Sequence, residues 1–147
     1  MKWLAFILVL ECSALAGVDW AATRFALAQI ESGDRMASIG ASGERGAFQI
    51  LPTVASGRGY SWTNARWILK SRLDRFERQA HREATPAELY VLWHRPALLS
   101  QNRPWPAHVC DRAARFENLY CGVAQRQRTS LINWRSLVRV QAPQPSK

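Results

Sequence analysis

"WAATRFALAQIESGDRMASIGASGERGAFQI", residues 20 to 50, holds the features on which the fold turns. Its first thirteen residues place Ala22, Ala26 and Ile30 on one helical stripe with Phe25 beside it, and Gly33 follows as a glycine stop. The reading is a helix over 20–32. Glu31 then falls in the last helical turn, where the negative end of the helix disfavours a carboxylate. Leu27 and Ala28, four and three positions earlier, put apolar groups on the same face. Burial and the helix dipole both raise a carboxyl pKa. A carboxyl that keeps its proton near neutral pH is what protonation of a glycosidic oxygen requires. The plain structural alternative is a solvated glutamate near a helix end.

Outward from this stretch the chain continues to read as helix. "TNARWILKSRLDRFERQAHRE", with the preceding Trp62, spaces Trp62, Ala65, Leu69, Leu73, Phe76 and Ala80 by three and four, and arginines fill the other face. In "TPAELYVLWHRP", Thr85 is a good N-cap, Pro86 suits the first helical position and Glu88 completes a capping box. Pro96 ends that helix near Trp93 or His94. "SQNRPWPA" is a loop. A last helix carries Val109, Ala113, Phe116 and Tyr120 at helical spacing and stops at Gly122. No strand pattern of any length appears, although the glycine-rich 40–50 segment has room for a short β-hairpin. The expectation is one mainly α domain, which also suits a length of 147 residues.

The formal charge of +9 is unevenly placed. Residues 122–147 hold Arg126, Arg128, Arg135, Arg139 and Lys147 and no acid, whereas 17–121 set fourteen basic residues against ten acidic ones. The tail reads as a disordered basic extension rather than a nucleic-acid or membrane binder. It also resembles the peptide produced when a reading frame runs through a tRNA gene on the opposite strand. At the other end, Lys2, the apolar run "WLAFILVL" and "ALA" at 14–16 form the three parts of a secretory signal, with cleavage after residue 16. The expected organisation is signal peptide 1–16, domain 17–121 and tail 122–147. No stretch has the roughly 20 apolar residues of a membrane span. Cys110 and Cys121 lie eleven residues apart in one predicted helix, roughly 16 Å, and a disulfide needs less than about 7 Å. They are not expected to bridge.

The residues after Glu31 narrow the chemistry. "IES" followed by "GASGERGAFQI" resembles the lytic transglycosylase and goose-type lysozyme group, whose catalytic Glu-Ser at a helix end precedes a Gly-x-x-Gln motif. Here these are Glu31-Ser32 and Gly46-Ala47-Phe48-Gln49. The resemblance covers roughly 20–121 and implies a lysozyme-like helical fold that cleaves peptidoglycan glycan strands. It gives Glu31 the role of general acid–base and Gln49 a place in the sugar cleft, with Gly46 in the motif and Phe48 and Ile50 fixing it to the core. Ser32 either orients the acid or caps the helix. The group's third motif, Ala-Tyr-Asn-x-Gly, has its counterpart in "LYVLWHRPA", with Trp93 and His94 at the tyrosine and asparagine positions or Tyr90 one turn earlier.

The same resemblance implies a single acid–base, assistance from the substrate's acetamido group, and attack by the muramic 6-hydroxyl to leave 1,6-anhydro ends. Asp34 and Glu44 are the nearby carboxylates that a two-carboxylate hydrolase would need, and both read as solvated or capping residues. Trp105, between two prolines, is either a sugar-stacking ring or a loop anchor. His81, His94 and His108 do not spell a metal motif, neither cysteine sits in C-x-x-C, and phosphate-loop and G-x-S-x-G patterns are absent. The expectation is an exported, cofactor-free, metal-free monomer acting on peptidoglycan, without nucleic-acid binding or stable membrane insertion. A catalytically silent wall-binding module and a lysozyme-type hydrolase are the alternatives.

Overall fold

The computed structural model describes residues 17–140, and side chains through residue 127. The expected signal peptide, 1–16, lies outside the described residues, as does the last part of the tail. Among the described residues six helices follow one another: α1 (Trp20–Ser32), α2 (Pro52–Ala55), α3 (Trp62–Ala80), α4 (Pro86–His94), α5 (Ala97–Ser100) and α6 (Ala107–Val140). The chain is mainly helical, and the described residues contain no strand, only isolated bridges.

The core forms where α1 and α4 pack against α6, with α3 covering α4. Nearly all of α4 is buried, from Leu89 and Tyr90 through Val91 and Leu92 to Trp93. That is the behaviour of a helix apolar on every side. Its start is fixed as the sequence implies. The Thr85 hydroxyl accepts from the Glu88 N–H at 3.2 Å, and the Glu88 carboxylate accepts from the Thr85 N–H at 2.8 Å. Arg82 adds a bidentate pair to the same carboxylate, at 2.8 and 2.6 Å.

Small residues set the α1–α6 contact. Ala22 and Ala26 are wholly buried together with Leu27, and their short side chains let the two helices approach closely. The Asp19 N–H donates to the Tyr120 hydroxyl at 3.0 Å, tying the start of α1 to α6. Phe25, expected beside the apolar stripe, is exposed, and Leu27 takes the buried place. The reason is one of face: Leu27 and Phe25 flank Ala26 on opposite sides of the helix, and the Leu27 side is the buried one.

Three local features differ from the sequence reading. The glycine-rich segment is not a hairpin of paired strands. Arg45 instead makes isolated bridges to Ile39 and to Ile50, and turn bonds such as Gly40 N–H to Glu44 C=O at 2.8 Å bend the chain too tightly for a ladder. Gly122 does not stop the last helix, which runs on to Val140. A glycine inside a helix costs only about 1 kcal/mol, and Val123 and Ala124 pack on the core beyond it. Pro96 ends α4 but also opens the short α5.

Candidate active site

Glu31 sits in the last turn of α1, and the chain leaves the helix through two left-handed residues, Gly33 and Asp34, both with φ 65°. Gly33 N–H donates to the Gln29 carbonyl at 3.2 Å and Asp34 N–H to the Ala28 carbonyl at 2.9 Å. This reversal turns the following segment back across the end of α1. Ser32 locks the two together. Its buried hydroxyl donates to the Ala47 carbonyl at 2.9 Å and accepts from the Arg35 N–H at 3.0 Å. Ser32 therefore lies behind the site and holds Glu31 against the Gly46–Gln49 motif.

Within that motif Gly46 has φ 78°, and a side chain there would press on the Tyr60 carbonyl at 3.1 Å. Its role is backbone geometry. Phe48 and Ile50 are buried, and Phe48 meets Trp62 with ring centroids 5.3 Å apart. Gln49, itself at φ 48°, has its side chain fixed by donation to the Gly46 carbonyl at 2.8 Å. Its amide oxygen stands over Gly40, where any Cβ would collide with it and with the Glu44 carboxylate.

These segments wall an open cleft of about 350 Å³. Glu31, Gln49, Trp93 and His94, all anticipated, line it. Tyr90 does not reach the surface of the cleft; it is wholly buried beneath, stacked on His94 at 5.5 Å with 14° between the planes. Trp105 is packed against the core and is absent from the cleft wall, so it anchors its loop.

The electrostatics centre on Glu31. Burial pushes its carboxyl up to about 7, Arg112 and the Tyr90 hydroxyl oppose the rise, and Glu44 adds to it. Oε1 is sealed from solvent without a hydrogen-bond partner, and so is the Tyr90 hydroxyl. Tyr90 and Glu31 thus feel each other without completing a hydrogen bond. Tyr90 is pushed up to about 12, by burial first and then by Glu31. His94 is held below the usual imidazole range by burial and by Arg112, Arg95 and His108, which favours the neutral ring. The cleft is therefore lined by a carboxyl that is easily protonated, beside an imidazole biased to its neutral form and an indole.

Sequence reading missed two cations and undervalued one acid. Arg72 and Arg112 both line the cleft. Arg72 donates from Nη1 to the Leu92 and Trp93 carbonyls at 3.0 and 2.6 Å, satisfying the end of α4. A signal was present in each case: Arg72 follows Ile68 and Leu69 by four and three, and Arg112 lies three after Val109 and four before Phe116. Glu44 accepts from the Ser42 N–H at 2.9 Å, as a capping residue does, yet it also lines the cleft with Glu31. Asp34 is exposed and serves the turn. No cluster of histidine, cysteine and carboxylate groups able to hold a metal occurs among the described residues. No protein-family model, curated protein or solved structure matches this chain.

Proposed function

We propose that the chain carries a lysozyme-like lytic transglycosylase domain that cleaves the MurNAc-β-1,4-GlcNAc bond of peptidoglycan, with Glu31 as its acid–base. One observation supports this most: a carboxyl pushed up to about 7 by burial, in a residue that lines an open cleft. Such a group keeps a large share of its proton at neutral pH and can take a proton back once it has given one up. Glu31 gives its proton to the glycosidic oxygen as the bond from that oxygen to the muramic C1 breaks. The substrate's acetamido group supports the developing charge at C1. The muramic 6-hydroxyl then bonds to C1 and its proton returns to Glu31, leaving a 1,6-anhydro end. Gln49, Trp93 and His94 form the walls against which the sugar would lie, and Tyr90 buttresses His94. No cofactor enters this scheme. Export by the signal expected in residues 1–16 would bring the domain to its substrate in the periplasm or outside the cell.

Glu44 favours a second reading. A carboxylate in the same cleft as the acid is what a hydrolase needs to activate water, and it would give reducing ends instead. A wall-binding module without turnover is the remaining alternative. Digestion of purified cell walls, read by mass spectrometry, separates them. Wild type should release products with anhydro-muramic ends, one water lighter than hydrolysis products. Glu31→Gln should cut the rate by at least the 10²–10⁴-fold typical of losing a general acid, and Glu44→Gln should retain most activity. Reducing ends that vanish with Glu44→Gln would establish the hydrolase. Walls bound but left intact by wild type would establish the binding module.

A further inference from the structure

Arg112 stands on α6 between Val109 and Phe116, which have no exposed surface, and next to the buried Ala113. Those three apolar neighbours fix the turn of helix that carries it, and its side chain reaches the cleft wall shared by Glu31 and His94. It makes no ion pair within 4 Å among the described residues. Its guanidinium is held above its ordinary value by the Tyr90 hydroxyl first, and Glu31 adds to this. Every other charged or titratable group facing Glu31 is unsuited to steadying a carboxylate. Glu44, from the 40–50 segment, repels one. Arg72, from α3, spends Nη1 on two backbone carbonyls. His94, from α4, is biased to its neutral form.

We propose that Arg112 is a positioning residue for the acid–base. It steadies the Tyr90 hydroxyl beside Glu31 and stabilises the Glu31 carboxylate that exists between proton delivery to the glycosidic oxygen and proton return from the 6-hydroxyl. The proposal rests on the reading of Glu31 as acid–base. Without a nearby cation, the carboxylate produced in the first transfer would stand in a desolvated wall beside a second acid. With Arg112 in place the acid can both lose and regain its proton.

Carbon-13 NMR titration of the Glu31 carboxyl in the whole chain tests the proposal without substrate, its signal being assigned by its loss in Glu31→Gln. In Arg112→Gln the midpoint should rise by about one pH unit, the low end for an opposite charge within ~4–6 Å. Arg112→Lys should stay near wild type, and Arg115→Gln, an exposed charge change on the same helix, should not move it. On cell walls, Arg112→Gln should lower kcat about tenfold with little change in KM, and its alkaline limb should move up with the carboxyl midpoint. Should Arg112→Gln fail to fold, Arg112→Met, which keeps an apolar stem, answers the same question. An unchanged Glu31 midpoint in the folded, uncharged variant overturns the proposal. A wild type that never cleaves walls defeats the proposed function instead, and leaves the titration to be judged by itself.

Discussion

Glu31 is held protonated at an energetic cost to the ionised fold, and that cost has a pH signature independent of any substrate. Its folded pKa, about 7, stands above the ordinary value of 4.5. The folded chain therefore keeps a proton that the unfolded chain loses between those two values, so stability falls as pH rises through that window. The full effect is on the order of 3 kcal/mol, at about 1.4 kcal/mol per unit. Glu31→Gln removes the titrating group. The difference in melting temperature between variant and wild type should therefore be smallest near pH 4 and grow in the variant's favour up to about pH 8. A difference that stays flat across that range would mean that Glu31 is solvated in the folded chain. The position of Glu31 was legible because one residue type at one place in a helix invokes both burial and dipole. The partners that set its charge were not. Arg72 looks like a surface arginine until α3 packs on α4, and Arg112 stays exposed on α6; only the packing of the helices sets both at the cleft beside Glu31.

At the scale of elements, capping chemistry was readable and loop geometry was not. Thr85, Pro86 and Glu88 act over four residues, so their bonds follow from sequence alone. The glycine-rich segment depends on where Ser32 docks and on the positive φ of Gly46 and Gln49, and both arise from long-range packing. Ending α1 on two left-handed residues lets Ser32 reach Ala47, and this brings Glu31 and Gln49 to one cleft. The α4 cap can be tested separately from that site. Thr85→Ala leaves one N–H without its acceptor and should cost about 1 kcal/mol, read by urea denaturation, with the shape of the Glu31 titration preserved. A loss well below that figure would mean that the Arg82–Glu88 pair alone fixes the start of the helix.

At the scale of the whole molecule, the question is where the domain ends. A glycine after an apolar stripe suggested Gly122, but packing decides it: Val123 and Ala124 join the core from α6, the same helix that supports α1, α4 and Arg112. The apolar contacts described there end at Ala124, and the acid-free composition beyond it gives little to pack. Two truncations locate the boundary. A chain ending at residue 127 should melt within a degree or two of the full chain. A chain ending at 121 loses the burial of Ala124 and part of Val123, roughly 1–2 kcal/mol at about 25 cal/mol per Å² of apolar surface. That should lower the melting temperature by about 4–8 °C. It should also weaken the support of α1, so the Glu31 carboxyl should titrate closer to its ordinary value as burial is lost. Equal melting of the two truncations would place the end of the core before Gly122. A large drop for the chain ending at 127 would mean that α6 is held by contacts further along its length.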